Sequence, residues 1–165
     1  MSARYARYGP LGALRRQRGL AMVEFAISVP VILLLMFGSF EFGHLMTAYS
    51  TLNDGVRNAA RYVAGAALRN TADTMVTGAN WTSLQTEGTN LAIYGNIAGT
   101  GSPILEGLDL GTTTLTVSED TVARTIKVDV DYPYVPLFGN AIPTFMGGSL
   151  STAYHLKIST TMRAL

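Results

Sequence analysis

Apolar and polar residues change their spacing three times along this chain of 165 residues, and each change predicts a different element. The first pattern is a run of 21 residues, 20–40, that is almost continuously apolar and contains a single charged residue, Glu24. As a helix, this run is about 31 Å long, enough to cross a hydrocarbon core of about 30 Å. The run therefore predicts a transmembrane helix, to which we assign residues 20–43.

The second pattern begins at Leu45, where apolar residues recur at spacings of three and four, as on one face of a helix. The members of this stripe are Leu45, Tyr49, Leu52, Val56, Ala59, Val63 and Ala67. No proline interrupts residues 31–70, so we predict one helix from Leu20 to Leu68, of which residues 44–68 lie outside the membrane. Gly55 and Ala59 are small residues four apart, a spacing that permits close contact with another helix.

The third pattern, in a head domain of residues 69–165, is strict alternation of apolar and polar positions, which predicts half-buried strands. The alternating segments are residues 114–118, 126–132 and 154–162. The residues between the first two, 118–121, predict a hairpin loop, and residues 81–94 predict a short helix. An antiparallel sheet covered by the long helix predicts an α+β fold.

Charge divides the chain at the start of the apolar run. Residues 1–19 carry five arginines and no acidic residue, whereas the rest carries seven basic and eleven acidic residues, a net charge of −4. Because basic residues favour the cytoplasmic side, we expect residues 1–19 to be a cytoplasmic leader and the head to lie in the periplasm or outside the cell. A removed secretory signal is the alternative, but no clean small-x-small cleavage site follows the run.

The same numbers limit the functional classes. The acidic balance of the chain after the leader gives no support for nucleic-acid binding. The absence of cysteine excludes disulfides and thiolate metal sites.

The residues at the start of the apolar run carry a resemblance to a known family. Arg18 and Gly19 precede Leu20-Ala21-Met22-Val23-Glu24-Phe25. This segment resembles the N-terminus of type IV pilin-like proteins, most closely the TadE-like minor pseudopilins of tight-adherence pili. Glu41-Phe42-Gly43 and the alanine- and arginine-rich residues that follow extend the resemblance over residues 18–64.

The resemblance implies a processing site at Gly19, Leu20, Glu24 and Phe25, where a prepilin peptidase cuts after Gly19. Leu20 would become the new N-terminus, and its amino group would pair with Glu24 of an adjacent subunit. Such a pair offsets the desolvation of both charges and fixes the stagger between subunits.

The resemblance also implies a structural protein of pilus assembly and surface attachment, in the bacterial inner membrane or the pilus. Its implied partners are the prepilin peptidase, other pilin or pseudopilin subunits, the inner-membrane assembly platform and the lipid bilayer. Two alternatives remain open: an uncleaved periplasmic accessory anchor of the secretion machinery, and a periplasmic binding module on a membrane tether.

Two residues of the long helix have more than one interpretation. Pro30 lies inside the apolar run, where its missing N–H predicts a kink or a flexible point, or merely reflects how common proline is in membrane helices. Glu41 is expected to mark the outer membrane–water boundary. A salt bridge from Glu41 to Arg57 or Arg61 of another subunit is the alternative.

The connection between the second and third strands is unusually apolar. It contains Tyr134, Phe138 and Phe145, and we interpret it as a contact loop for a subunit or the membrane surface, or as a segment tucked under the sheet. In the first case, Phe138→Asp or Phe145→Asp disrupts assembly without unfolding the head.

No catalytic constellation is visible, so we expect a protein that is not an enzyme and has no cofactor. His44 and His155 are expected to lie at an interface or on a strand surface and not to bind a metal. Asp129 and Asp131 share one strand face, which we expect to be a solvated acidic face, with calcium binding as the alternative.

Overall fold

A computed structural model describes residues 11–68, 74–139, 141–143 and 147–164, with side chains from residue 19 onward except at positions 142 and 143. In these ranges, two helices precede five strands. The elements are α1 (Leu11–Ala66), α2 (Ala79–Tyr94), β1 (Thr114–Asp120), β2 (Thr125–Pro133), β3 (Ala141–Pro143), β4 (Ser149–Ser151) and β5 (His155–Arg163). The predicted α+β fold, a long N-terminal helix with a small antiparallel sheet, is confirmed.

Helix α1 is continuous through Pro30 and through both ends of the apolar run. It begins at Leu11 and ends at Ala66, so the predicted limits, Leu20 and Leu68, are wrong at both ends. The hydroxyl of Ser28 donates to the carbonyl of Glu24 at 2.8 Å and not to that of Ala26, the carbonyl left without a partner by Pro30.

The main sheet has the strand order β1-β2-β5, and both pairings are antiparallel. The hairpin loop predicted at residues 118–121 lies later than expected, because β1 continues to Asp120 and the turn occupies residues 121–124. The reason is local: the Asp120 carboxylate accepts the backbone N–H groups of Val122 and Ala123, both at 2.9 Å, and so starts the turn.

A second sheet of two short strands, β3 and β4, interrupts the connection between β2 and β5. The Thr152 hydroxyl donates to the carbonyl of Gly139 at 2.6 Å, and the N–H of Tyr134 donates to the carbonyl of Tyr154 at 2.9 Å. These two bonds hold the chain entering the hairpin beside the chain leaving it.

The core lies between the outer half of α1 and the inner face of the main sheet. Leu52, Val56 and Val63 of α1 are fully buried in one cluster with Ile126 and Val128 of β2. The predicted stripe is confirmed at most positions. It is wrong at Tyr49, which is exposed, while the neighbouring Ala48 is buried.

Helix α2 runs antiparallel to α1 and touches it through glycine. A Cβ atom at Gly88 would lie 2.5 Å from Cγ2 of Val63, and one at Gly55 would lie 3.0 Å from the carbonyl oxygen of Ala92. The close helix contact expected at Gly55 is therefore made within the chain. The Gln85 amide also donates to the Val117 carbonyl of β1 at 2.7 Å.

Candidate functional site

The predicted processing residues lie within α1 and face outward. The side chains of Leu20, Glu24 and Phe25 are exposed, and a Cβ atom at Gly19 would meet nothing within 4 Å. The Glu24 carboxylate has no hydrogen-bond or ion-pair partner among the residues that the structure describes. The described residues therefore leave this charge uncompensated, and the roles predicted for these residues remain predictions.

The part of α1 over Gly19–Ala66 is long enough and apolar enough to span a membrane. None of its most apolar stretch is buried by the rest of the chain. Exposed side chains such as Ile32 and Leu35 lie all along it. A soluble core helix buries such side chains, so this exposure is what a lipid-facing helix requires.

Immediately after this stretch, the head contacts the helix through a buried carboxylate. Glu41 is 7% exposed. Its Oε1 accepts a hydrogen bond from the Tyr134 hydroxyl at 2.7 Å, and its Oε2 accepts a longer one, 3.4 Å, from the N–H of Phe138. Glu41 thus binds the loop of its own chain, while its predicted place at the membrane–water boundary and the alternative pairing with Arg57 or Arg61 of another subunit stay predictions.

His44, one turn further along α1, completes this network. Its Nδ1 lies 2.7 Å from the Tyr134 hydroxyl oxygen, and the two rings are 5.6 Å apart. The hydroxyl has one hydrogen and gives it to the Glu41 carboxylate, so Nδ1 of His44 must carry a proton and donate to Tyr134. Burial and the neighbouring Glu41 carboxylate raise the pKa of Tyr134, which keeps the hydroxyl a donor.

Phe138 extends the contact back along the apolar run. Its ring packs on that of Phe37 at a centroid distance of 5.1 Å and an angle of 55°. Tyr134 is buried, so its predicted role as an external contact residue is not what the structure shows, because its ring and hydroxyl face α1. Phe138 is 42% exposed, and Phe145 lies outside the described residues.

The outer face of the sheet carries paired charges. Asp131 lies 2.7 Å from His155 and 3.1 Å from Lys157, and these two groups lower its pKa. Lys127 lies 2.9 Å from Asp129. Partial burial opposes ionisation of Asp129, but hydrogen bonds from Lys127 and Ser159 outweigh it and lower its pKa.

These contacts disfavour the calcium alternative, because both carboxylates already form ion pairs with basic side chains. In the described part of the chain, no three side chains of His, Cys, Asp or Glu come together as a metal site. His155 lies on the strand surface, as expected.

An open hollow of about 480 Å³ lies beside α1 and α2. Its lining includes Tyr62 and Glu87, which are joined by a 2.5 Å hydrogen bond, and Asn80. If the protein were the binding module of the second alternative, this hollow is where its head would hold a ligand.

Sequence reasoning missed the network of Glu41, His44 and Tyr134 as a unit. The residues are 90 and 93 positions apart, and no short motif joins them. The available signal was a carboxylate just beyond a membrane-length run, which has to be hydrated or paired.

Comparison with known proteins gives one result for the N-terminal part. Residues 19–61 match the family model described as TadE-like protein. The match begins at Gly19 and includes Glu24 and Glu41, so the resemblance is confirmed over this segment. No curated protein and no solved structure matches the chain.

Proposed function

Starting from the TadE-like segment of residues 19–61, we propose that this protein is a structural minor pseudopilin of a tight-adherence pilus system. A prepilin peptidase removes residues 1–19, and the mature subunit acts in pilus assembly and surface attachment. The protein is anchored by α1 in the bacterial inner membrane, with its head in the periplasm or, within the pilus, outside the cell. It has no enzymatic activity of its own.

The observation that carries this proposal is Glu24, which is exposed on an apolar helix five residues after Gly19 and has no partner among the residues that the structure describes. A carboxylate in hydrocarbon costs about 2.5–3.5 kcal/mol on insertion scales, so it needs a partner. Cleavage after Gly19 creates one, the amino group of Leu20 on a neighbouring subunit. Other pilin subunits, the peptidase and the assembly platform are the partners that follow.

The deciding experiment is the N-terminus and intact mass of the protein from the membrane and sheared surface fractions of its host. A chain that starts at Leu20 and occurs in the sheared fraction is a processed pilin subunit. A chain that keeps residues 1–19 and stays in the membrane is instead an uncleaved accessory anchor.

Gly19→Val tests the position of the site. We expect processing to be blocked, because the peptidase needs a small residue before the cut, and the intact mass reports the result. Gly38→Val is the matched control, since Gly38 is also a helical glycine with no atom within 4 Å of its Cβ position. Normal maturation of Gly19→Val would rule out this site.

A further inference from the structure

The connection that contains β3 and β4 has no side chain that is charged at neutral pH. Residues 132–154 form a run of 23 positions without Asp, Glu, Lys, Arg or His, the longest in the chain and longer than the uncharged part of the apolar run. At the two ends of this run, Asp131 and His155 pair on the outer face of the sheet. Charge therefore stops abruptly at one end of the head.

That end of the head lies at the depth where the apolar run ends. The ring of Phe138 packs on Phe37, three residues before Phe40, which is about 4.5 Å along the helix axis from the end of the predicted span. The connection is thus held at the level of the last turn of the span.

Large apolar side chains remain exposed on this connection. Leu137 is 57% exposed, Leu150 of β4 is 56% exposed and Tyr154 is 54% exposed, in addition to the partly exposed Phe138. Pairing of β3 with β4 satisfies part of the backbone hydrogen bonding of the connection, and its remaining backbone groups have to stay at the hydrated headgroup level.

We propose that the exposed side chains of Leu137, Phe138, Leu150 and Tyr154 form a membrane-docking surface, which lies on the outer boundary between headgroups and acyl chains of the bilayer that α1 spans. This inference rests on the membrane anchoring in the proposed function. Leu137, Phe138 and Leu150 contact acyl chains, and Tyr154 lies at headgroup level, as tyrosines do in the aromatic belts of membrane proteins.

Two observations favour lipid over a second copy of the chain as the occupant of this surface. The contact between Phe138 and Phe37 makes the surface continuous with the exposed apolar face of α1. The run also offers no charged side chain with which a second copy could pair, and the nearest charges pair with each other within the chain.

Single tryptophans in the full chain, reconstituted in proteoliposomes, test the proposal. The lone Trp81 is first replaced by Phe, and Leu150→Trp, Phe40→Trp or Val122→Trp is then added. The vesicles contain phosphatidylcholine and phosphatidylglycerol, with part of the phosphatidylcholine brominated on the upper acyl chain, and quenching of fluorescence is measured.

Val122 is the matched control, since it is an apolar residue, 95% exposed, in the turn at the opposite end of β2. Strand β2 ends beside Glu41, so this turn lies about 26 Å further along the strand, away from the membrane. We expect the reporter at position 150 to be quenched at least half as strongly as that at position 40, and the reporter at position 122 to be unaffected. Tyr154→Trp is a second reporter with the same expected result as position 150.

The other outcomes separate this inference from the proposed function. Quenching at position 40 without quenching at positions 150 and 154 overturns the docking surface and leaves the anchor intact. An unquenched, blue-shifted emission at 150 that reverts when the protein is diluted in lipid also overturns it and assigns the surface to a second copy. Absence of quenching at all positions contradicts the membrane anchor itself.

Discussion

The hydroxyl of Tyr134 is the residue-scale feature on which the connection between helix and head depends. It donates to Glu41, accepts from His44 and lies in the buried part of the structure. The sequence indicated that Glu24 needs a partner, because it is a charge within a membrane-length run, and it predicted Glu41 at the membrane–water boundary with a salt bridge as the alternative. It could not show which partner Glu41 has, since tyrosine is common and the pairing depends on the path of the chain between β2 and β5.

Removal of this hydroxyl should destabilise the head. For Tyr134→Phe we expect a loss of about 1–3 kcal/mol in the free energy of unfolding, because the buried Glu41 carboxylate loses its donor. Chemical denaturation of the full chain in detergent measures the change. Tyr154→Phe is the matched control: its side chain is exposed and should change stability by less than about 0.5 kcal/mol. Equal effects of the two substitutions would contradict the role of the network.

The same hydroxyl should make stability depend on pH in the alkaline range. The pKa of Tyr134 is raised in the folded protein, so its protonated form stabilises the fold. This contribution is fully present below the unfolded pKa of about 10 and is lost as the pH rises towards the folded value. We expect the difference in unfolding free energy between the native chain and Tyr134→Phe to be constant at about pH 8–9 and to shrink above about pH 10. A constant difference at higher pH would contradict the assignment.

At the scale of elements, periodicity predicted which segments form helices and strands, and local chemistry moved their ends. Alternation identified β1, β2 and β5 because one face of each packs on a helix, β2 and β5 on α1 and β1 on α2, while the other face carries polar residues, with paired charges on β2 and β5. The first hairpin turn was misplaced because the Asp120 side chain, and not the run of polar residues, starts it. The short strands β3 and β4 have three residues each, too few for alternation to be recognised.

The contact between the two helices gives a prediction at this scale. Gly88→Ala places a Cβ atom 2.5 Å from Cγ2 of Val63, which is fully buried and β-branched and so cannot easily change rotamer. Gly65→Ala is the control, because a Cβ atom there meets nothing within 4 Å.

Both substitutions gain the same helix propensity, so the comparison isolates overpacking. We expect Gly88→Ala to be less stable than Gly65→Ala by about 1–3 kcal/mol in denaturant unfolding. Adding Val63→Ala should lower the unfolding free energy of Gly88→Ala by less than it lowers that of Gly65→Ala. A double-mutant cycle measures this difference. Additive effects would show that the helices separate at this point and do not clash.

For the whole molecule, the family resemblance and the amphipathic helix predicted an anchor with an α+β head, and the structure adds how the two are joined. Element patterns contain no information on this joint, because it consists of Phe37, Glu41 and His44 on α1 and of Tyr134 and Phe138 on an irregular loop. The head thus meets the helix at the end of the apolar run, and α1 and the head have contacts on both sides of residue 45.

Crosslinking can test this joint in membranes, since the chain has no cysteine of its own. With Phe37→Cys and Phe138→Cys together, a short bis-maleimide should give an intrachain crosslink, because the native rings are 5.1 Å apart. Phe25→Cys with Phe138→Cys is the control and should give none, since position 25 is twelve residues, or about 18 Å, further along the helix. Mass spectrometry of the digested monomer identifies the product. A crosslink that appears only in dimers would mean that the loop contacts a neighbouring helix.

The separation of 93 positions between Glu41 and Tyr134 also sets an order of events during biosynthesis. Loop closure over such a distance is entropically costly and slow, whereas a helix forms locally and fast. In the orientation proposed above, the apolar segment would therefore enter the translocation machinery when Glu41 has no partner, and the carboxylate would stay hydrated until residue 134 had crossed. Membrane insertion would then come first and closure of the head onto α1 second, so a chaperone or degrading protease that acts on this protein would meet an anchored helix with an open, unfinished head.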